Sequence, residues 1–279
     1  MRRCNRFALA EIAICRLIVL AMIVLVGATG CGELAQVNII STEEELQLGK
    51  EFSQEIEKGQ IKLYEDPEVN AYIDSLGQLL ARNSDRNDIP YIIKVVDTDE
   101  VNAFAIPGGY LYVNRGLITT AENESELAGV MGHEIGHIVG RHSAKQITRQ
   151  YGLGMIGSIL LGNNPNQLAA MAANIAGSGT LLKYGRDAEL EADGFGVDET
   201  YRSGIDPEGM ATFFEKLLAM HSAEPSWLEK MFSTHPPTTE RIQKARAKIA
   251  SLPKKSGLTK DGPRFHEIQQ RLPAIKEKE

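Results

Sequence analysis

The sequence predicts an α+β fold, a mainly helical domain carrying one small antiparallel β-sheet. Capped segments with apolar residues at helical spacing recur from residue 41 to residue 251. One β-branched and aromatic region, residues 91–113, interrupts them and reads as short strands. A helical run from about Glu124 to Lys145 follows that region directly and contains His133-Glu134-Ile135-Gly136-His137.

The N-terminus differs in kind from the rest. Arg2, Arg3, Arg6 and Arg16 precede an apolar run, Leu17 to Val26, which ends in Gly27-Ala28-Thr29-Gly30-Cys31. A basic stretch, a short apolar stretch and small residues form the pattern of a secretory signal peptide over residues 1–30. The apolar run is short of the ~20 residues that span a bilayer, and Glu11 and Arg16 interrupt the softer stretch before it. A signal anchor is the alternative. Small residues followed by Cys31 resemble a bacterial lipobox, although Ala28 stands where that pattern prefers Leu. Cys31 is therefore expected to be lipidated as the first mature residue, with plain cleavage beside it as the other outcome. Gly32 is not the Asp that usually retains such lipoproteins at the inner membrane, so an outer-membrane tether facing the periplasm is expected. Cys4 and Cys15 leave with the signal, and no pair remains for a disulfide. Loss of four Arg and one Glu moves the formal charge from −7 to −10. An acidic protein without a basic stripe argues against a nucleic-acid partner.

The mature chain is expected to be one domain over residues 31–252, with a polar tail over 253–279. An exposed helix spans about residues 41–63, opened by a Thr42/Glu45 capping box and carrying Leu46, Phe52 and Ile56. Asp66-Pro67 opens a second, whose buried face is Val69, Tyr72, Ile73, Leu76, Leu79 and Leu80. Tyr91 to Val96 is a strand. Two more strands flank Pro107-Gly108-Gly109, because glycine supplies positive φ without a steric penalty. This hairpin is either plain core or a cleft edge, where Asn102, Ala103, Phe104, Ala105 and Gly108 pair with an extended peptide. Asn123 and Glu126 cap the His133 helix. Gly129, Gly132, Gly136 and Gly140 each cost that helix roughly 1 kcal/mol against Ala, so close approach of something is expected along it. Residues 151–182 have little charge and break at Gly162 to Asn166. Core helices, a membrane contact and a mobile flap are three readings of them. Residues 183–201 and the stretch from Asp206-Pro207 are further helices. A turn at His235-Pro236-Pro237 then feeds a helix to about Ser251, and Phe265 to Leu272 forms a short helical piece.

His-Glu-x-x-His on a helix places two imidazoles on one face, one turn apart. Glu134 lies about 100° round the axis, where a general base can reach a water rather than the ion. Catalytic zinc takes three protein ligands. Glu189 offers the third, with Asp193 four residues on to accept a ring N–H from a ligating histidine. Glu191 is the alternative ligand, on a different face. His142 is expected at the surface.

These segments together resemble the gluzincin metallopeptidases of family 48, which include the HtpX-like and CaaX prenyl protease types. The resemblance covers roughly residues 41–251 and rests on four ordered motifs. They are Asn102 to Gly109, Glu126-Leu127-Ala128 with the His133 to His137 motif, Arg186-x-x-Glu189-x-Glu191-Ala192-Asp193, and His235-Pro236-Pro237 with Arg241. The chain lacks the multiple spanning helices of the membrane-embedded members and so resembles the soluble periplasmic or lipoprotein branch.

The resemblance implies zinc (Zn2+) on His133, His137 and Glu189, Glu134 as general base, and Asp193 behind the ligands. His235 and Arg241 are candidates to stabilise the oxyanion, with Tyr184 behind them, and His235 equally reaches the metal to block it. The expected function is a zinc metalloendopeptidase acting on unfolded or misassembled envelope proteins. The alternative is a client-binding, chaperone-like lipoprotein, and the intact Glu134 argues against it.

Overall fold

The computed structural model describes residues 40–220 and 229–274. The leader and Cys31 lie outside the described residues. Helix α1 (Thr42–Glu57) starts one residue earlier than the spacing predicts. Ser41 is its cap, and Ser41 and Glu44 form the reciprocal box. That register frees Glu45, which is buried and binds Arg86 Nη1 at 2.9 Å and Nη2 at 2.8 Å. The helix is less exposed than expected, because Leu48, Phe52 and Ile56 are fully buried. Helix α2 (Pro67–Arg82) is capped as predicted, with Asp66 Oδ1 accepting from the Glu68 and Val69 amides.

Three strands follow: β1 (Ile92–Val96), β2 (Ala103–Ile106) and β3 (Tyr110–Asn114), in the order β1-β3-β2. The hairpin β2–β3 is antiparallel, as expected from its glycine turn, where Gly108 and Gly109 have φ of 79° and 86°. The sheet as a whole is mixed rather than antiparallel, because β1 pairs parallel to β3. The cause is the connection after β1, which crosses the end of β3 and places β2 on the far side. Arg115 pins that connection through Asp97 and Asp99. The Gly116 amide also donates to Thr98 O at 3.0 Å.

After the short α3 (Arg115–Thr120), helix α4 (Glu124–Val139) is buried from Ser125 to Ile138. It ends earlier than the run to Lys145 suggests. Arg141 adopts a left-handed φ of 55°, and a new helix, α5 (His142–Leu160), begins after it with a kink at Gly152. Helix α6 (Pro165–Ala176) returns across α1 and carries Leu168, Met171, Ala172 and Ile175 into a core with Leu48, Phe52 and Ile56. Residues 151–182 thus send one apolar face into this core, including Ile156 and Ile159, while Leu153 and Leu161 are exposed. No described helix is long and apolar enough to cross a membrane.

Helices α7 (Arg186–Arg202), α8 (Glu208–Met220), α9 (Glu229–Thr234) and α10 (Thr239–Ser251) complete the second half. In the polar tail, α11 (Pro263–Gln270) sends Phe265 and Ile268, both fully buried, into the main core. The three glycines within α4 have distinct neighbours. A Cβ on Gly129 would stand 2.6 Å from the Met210 amide of α8, one on Gly132 3.2 Å from Gly196 Cα, and one on Gly136 2.5 Å from Ala192 O of α7. Helix α4 thus touches two neighbours backbone to backbone.

Two outcomes follow from this packing. Gly129→Ala should destabilise the protein by about 1–3 kcal/mol in urea unfolding through overpacking. A gain of about 1 kcal/mol, the helix-propensity effect alone, would show that the α4–α8 contact is loose. Glu199 of α7 is buried with neither carboxyl oxygen hydrogen-bonded, and burial, with Asp85 adding, pushes its pKa well up. The unfolded chain releases that proton near pH 4.3. Stability should therefore fall as pH rises from there through the folded value. Glu199→Gln should flatten that fall, read as the difference in unfolding free energy between pH 5 and pH 8.

Candidate metal centre

The period of α4 places His133 and His137 one turn apart on one face. The close approach at Gly132 and Gly136 lets α7 bring Glu189 and Asp193, also one turn apart, against them. His133 Nε2 and His137 Nε2 stand 3.1 Å apart. Glu189 lies 3.6 Å from the first, through Oε2, and 3.5 Å from the second, through Oε1. His235, from the turn between α9 and α10, places Nδ1 3.3 Å from His133 Nε2 and 3.0 Å from Glu189 Oε1. All four side chains are buried.

Donor atoms held about 2.0–2.1 Å from a shared tetrahedral centre stand about 3.3–3.4 Å from one another. The separations given above, 3.0 to 3.6 Å, lie on either side of that value, and one donor atom from each of the four residues falls within 4.8 Å of the others. The donor chemistry agrees, since two or three imidazoles and one carboxylate suit zinc. Charge agrees as well. Glu134, Glu189 and Asp193 are three buried carboxyl groups, and Arg241 is the buried guanidinium among them. The residues present fit a divalent ion.

Electrostatics separate the carboxyl groups. Glu134 is buried, with its Oε1 3.6 Å from His235 Nε2. Burial pushes its pKa up, and the pull of His235, His133 and the Ala105 amide offsets this only in part. Glu189 is driven the other way. Burial opposes its charge, but His235, His137 and His133 together hold its carboxyl far below the usual range. Burial lowers His137, whereas Glu189 and Glu134 outweigh burial at His235 and raise it.

Asp193 Oδ1 is 2.8 Å from His133 Nδ1, the partnership expected of it. Arg241 is placed differently from an oxyanion donor. Its Nε and Nη2 bind Asp193 at 2.8 and 2.7 Å, and its Nη1 faces Glu189 Oε2 at 2.8 Å and Pro236 O at 3.2 Å. With its N–H groups so engaged, it organises carboxylates. Its guanidinium also lies 4.4 Å over the Phe214 ring. Tyr184 stacks on His137 with ring centroids 4.1 Å apart, and its hydroxyl is 2.8 Å from Ser143 Oγ.

On the sheet, the Asn114 amide donates to Asn102 O, so residues 102, 104 and 106 bond β3 while Ala103 and Ala105 turn their backbone groups to the open side of β2. Ser143 Oγ donates to Ala105 O. Phe104 stacks on Tyr112, on the face away from α4, and Gly108 packs against Glu45 and Leu46 of α1. Those two stand apart from the cluster. Glu191 also lies outside it, its side chain half exposed.

His142 overturns the surface expectation. It is 5% exposed, and its Nδ1 lies 2.8 Å from His137 Nδ1. On an unbroken helix it would point away; the left-handed Arg141 folds it back under His137. The signal in the sequence was Gly140, read only as a packing residue.

The profile of Peptidase family M48 matches residues 67–249. A beta-barrel assembly-enhancing protease of Escherichia coli (strain K12) is 35% identical over 218 residues, covering 74% of this chain and 44% of that protein. Metalloprotease YcaL of the same organism is 34% identical over 168 residues, 59% of this chain and 65% of YcaL. Mitochondrial metalloendopeptidase OMA1 of Schizosaccharomyces pombe (strain 972 / ATCC 24843) is 26% identical over 243 residues, 86% of this chain and 70% of OMA1. The chain therefore spans less than half the length of the assembly-enhancing protease.

Removing Arg241 leaves Asp193 and Glu189 as buried charges without their partner. Arg241→Met should cost the metal-free protein about 3–5 kcal/mol in chemical unfolding. A change below about 1 kcal/mol would show that the guanidinium is not what balances them.

Proposed function

The chain belongs to peptidase family M48, and from that premise we propose that it is a zinc-dependent metalloendopeptidase of the bacterial envelope. His133, His137 and Glu189 would hold the metal. Zinc, when bound, would lower the pKa of water towards ~7 and polarise the scissile carbonyl. The observation that carries the reading is Glu134, a buried carboxyl group one residue beyond the first imidazole of the cluster, bound by no cation among the described residues closer than His235 Nε2 at 3.6 Å.

Glu134 takes a proton from the attacking water on a carboxylate oxygen and delivers it to the leaving amine nitrogen. Its raised pKa brings it nearer the operating pH, which favours both transfers. Asp193 holds His133 by Nδ1, and Arg241 fixes Asp193 and Glu189 in turn. Of the two roles expected for His235, the geometry supports the blocking one. Its Nδ1 lies 3.3 Å from His133 Nε2 and 3.0 Å from Glu189 Oε1, so His235 would stand where a water is needed unless its side chain turned away. An extended substrate would add along the open side of β2, using the Ala103 backbone, since Ser143 already engages Ala105 O.

Substrates are proposed to be unfolded or misassembled envelope proteins. The assembly-enhancing role in the first relative's name supports that class. Export rests on residues 1–31, with Cys31 as the lipid anchor to the outer membrane.

The test is casein digestion by the mature protein. Zinc chelation should abolish it, and Glu134→Gln should lower the rate by about 10²–10⁴ while zinc content stays at one per chain. Undiminished cleavage by Glu134→Gln would overturn the mechanism. Zinc-loaded wild type without cleavage would favour a client-binding protein.

A further inference from the structure

Behind His137 stands a histidine that the proposed mechanism leaves without a task. His142 Nδ1 is 2.8 Å from His137 Nδ1, and its other nitrogen, Nε2, is 3.3 Å from Glu191 Oε2. The three groups run as a line from the buried ligand to a carboxylate whose side chain is 51% exposed. Resting on the metal-centre reading above, we propose that His142 is a positioning residue. It holds His137 in the tautomer that turns a bare Nε2 to the ligand cluster, with Glu191 setting the direction of the chain.

Hydrogen-bond arithmetic fixes that direction. A bond between two imidazole nitrogens needs one donor and one acceptor. An ionised carboxylate only accepts, so Glu191 takes the hydrogen of His142 Nε2. His142 Nδ1 is then an acceptor, and His137 Nδ1 must donate to it. The bare nitrogen of His137 is consequently Nε2, the atom 3.1 Å from His133 Nε2 and 3.5 Å from Glu189 Oε1. The reversed chain would aim an N–H into the cluster and leave no lone pair for an ion.

The backbone is arranged for this contact. On a continuous helix, residue 142 would lie roughly 140° round the axis from residue 137. The break after Gly140 removes that separation. Arg141 is the one non-glycine residue with positive φ among the described residues. It is held there by Glu45 Oε2, 2.6 Å from its Nε, and by Ile40 O, 2.9 Å from its Nη2. A Cβ on Gly140 would stand 2.5 Å from His142 Nε2, so only glycine admits the ring. A left-handed backbone held in place by an ion pair points to a task for the residue it positions. The two expected ligands are thus oriented by different means, His133 by Asp193 directly and His137 by Glu191 through a second imidazole.

The experiment compares full-length wild type with His142→Ala, His142→Gln and Glu191→Ala. Ring-nitrogen NMR of the metal-free, 15N-labelled proteins should show His137 protonated at Nδ1 in wild type. It should show mixed tautomers in His142→Ala and Glu191→Ala. Zinc affinity, by competition with a chromophoric chelator, should weaken about 10–100-fold in His142→Ala. The amide oxygen in His142→Gln can accept from His137, so that variant should recover most of the loss, which a space-filling role would not predict. If His142→Ala does not fold, His142→Gln and Glu191→Ala carry both measurements. Zinc binding within about twofold of wild type in every variant, with an unchanged His137 tautomer, overturns the proposal. A wild type that binds no zinc overturns the metal-centre reading instead, and the metal-free spectra still decide the tautomer.

Discussion

The contact between the backbones of α4 and α7 is the constraint on which the rest depends. Gly136 faces the Ala192 carbonyl at a separation that leaves no room for a side chain, and Gly132 faces Gly196 at one where a methyl group fits only if the neighbour gives by a few tenths of an ångström. An alanine at Gly136 would hold the helices apart. Glu189 would then fall short of the imidazoles, because its donor atoms now stand only 3.5 and 3.6 Å from theirs. Glycine weakens a helix in isolation. Here the loss is offset by burial of α4 on all sides, where tertiary packing rather than propensity holds the helix.

Such closeness concentrates titratable groups in a dry volume, and the arrangement manages them by connection rather than by solvent. Arg241 bridges Asp193 and Glu189, so two helices and the α9–α10 turn share one buried ion cluster. Glu134 stands one residue from His133 and shares none of those bonds. Identical carboxyl chemistry thus divides into tightly held groups and one held loosely, with His235 Nε2 3.6 Å from it. A carboxyl group held loosely in that setting is suited to moving a proton, whereas the tightly held ones are suited to fixing geometry.

The pillar formed by Glu45 links this centre to the first helix. Through Arg86 it reaches the Ile138 carbonyl at the end of α4, and through Arg141 it stabilises the chain reversal that follows. The N-terminal helix, read from the sequence as an exposed element, is therefore part of the support for α4. Its register explains the difference. With Ser41 rather than Thr42 as cap, Glu45 has no capping duty and turns inward.

What the sequence determined by itself is what local periodicity encodes. The spacing of His133 and His137, that of Glu189 and Asp193, the Asp66 cap and the Pro107-Gly108-Gly109 turn each depend on a few neighbouring residues, and each is legible for that reason. The tertiary structure alone decided what depends on distant partners. Arg241 is bound to Asp193 and Glu189 because α10 crosses α7, not because of its own neighbours. The parallel β1–β3 pair follows from a crossing that pattern cannot show. His142 is buried beneath His137 because one left-handed residue, held by a glutamate 96 positions away, ends a helix that periodicity would continue.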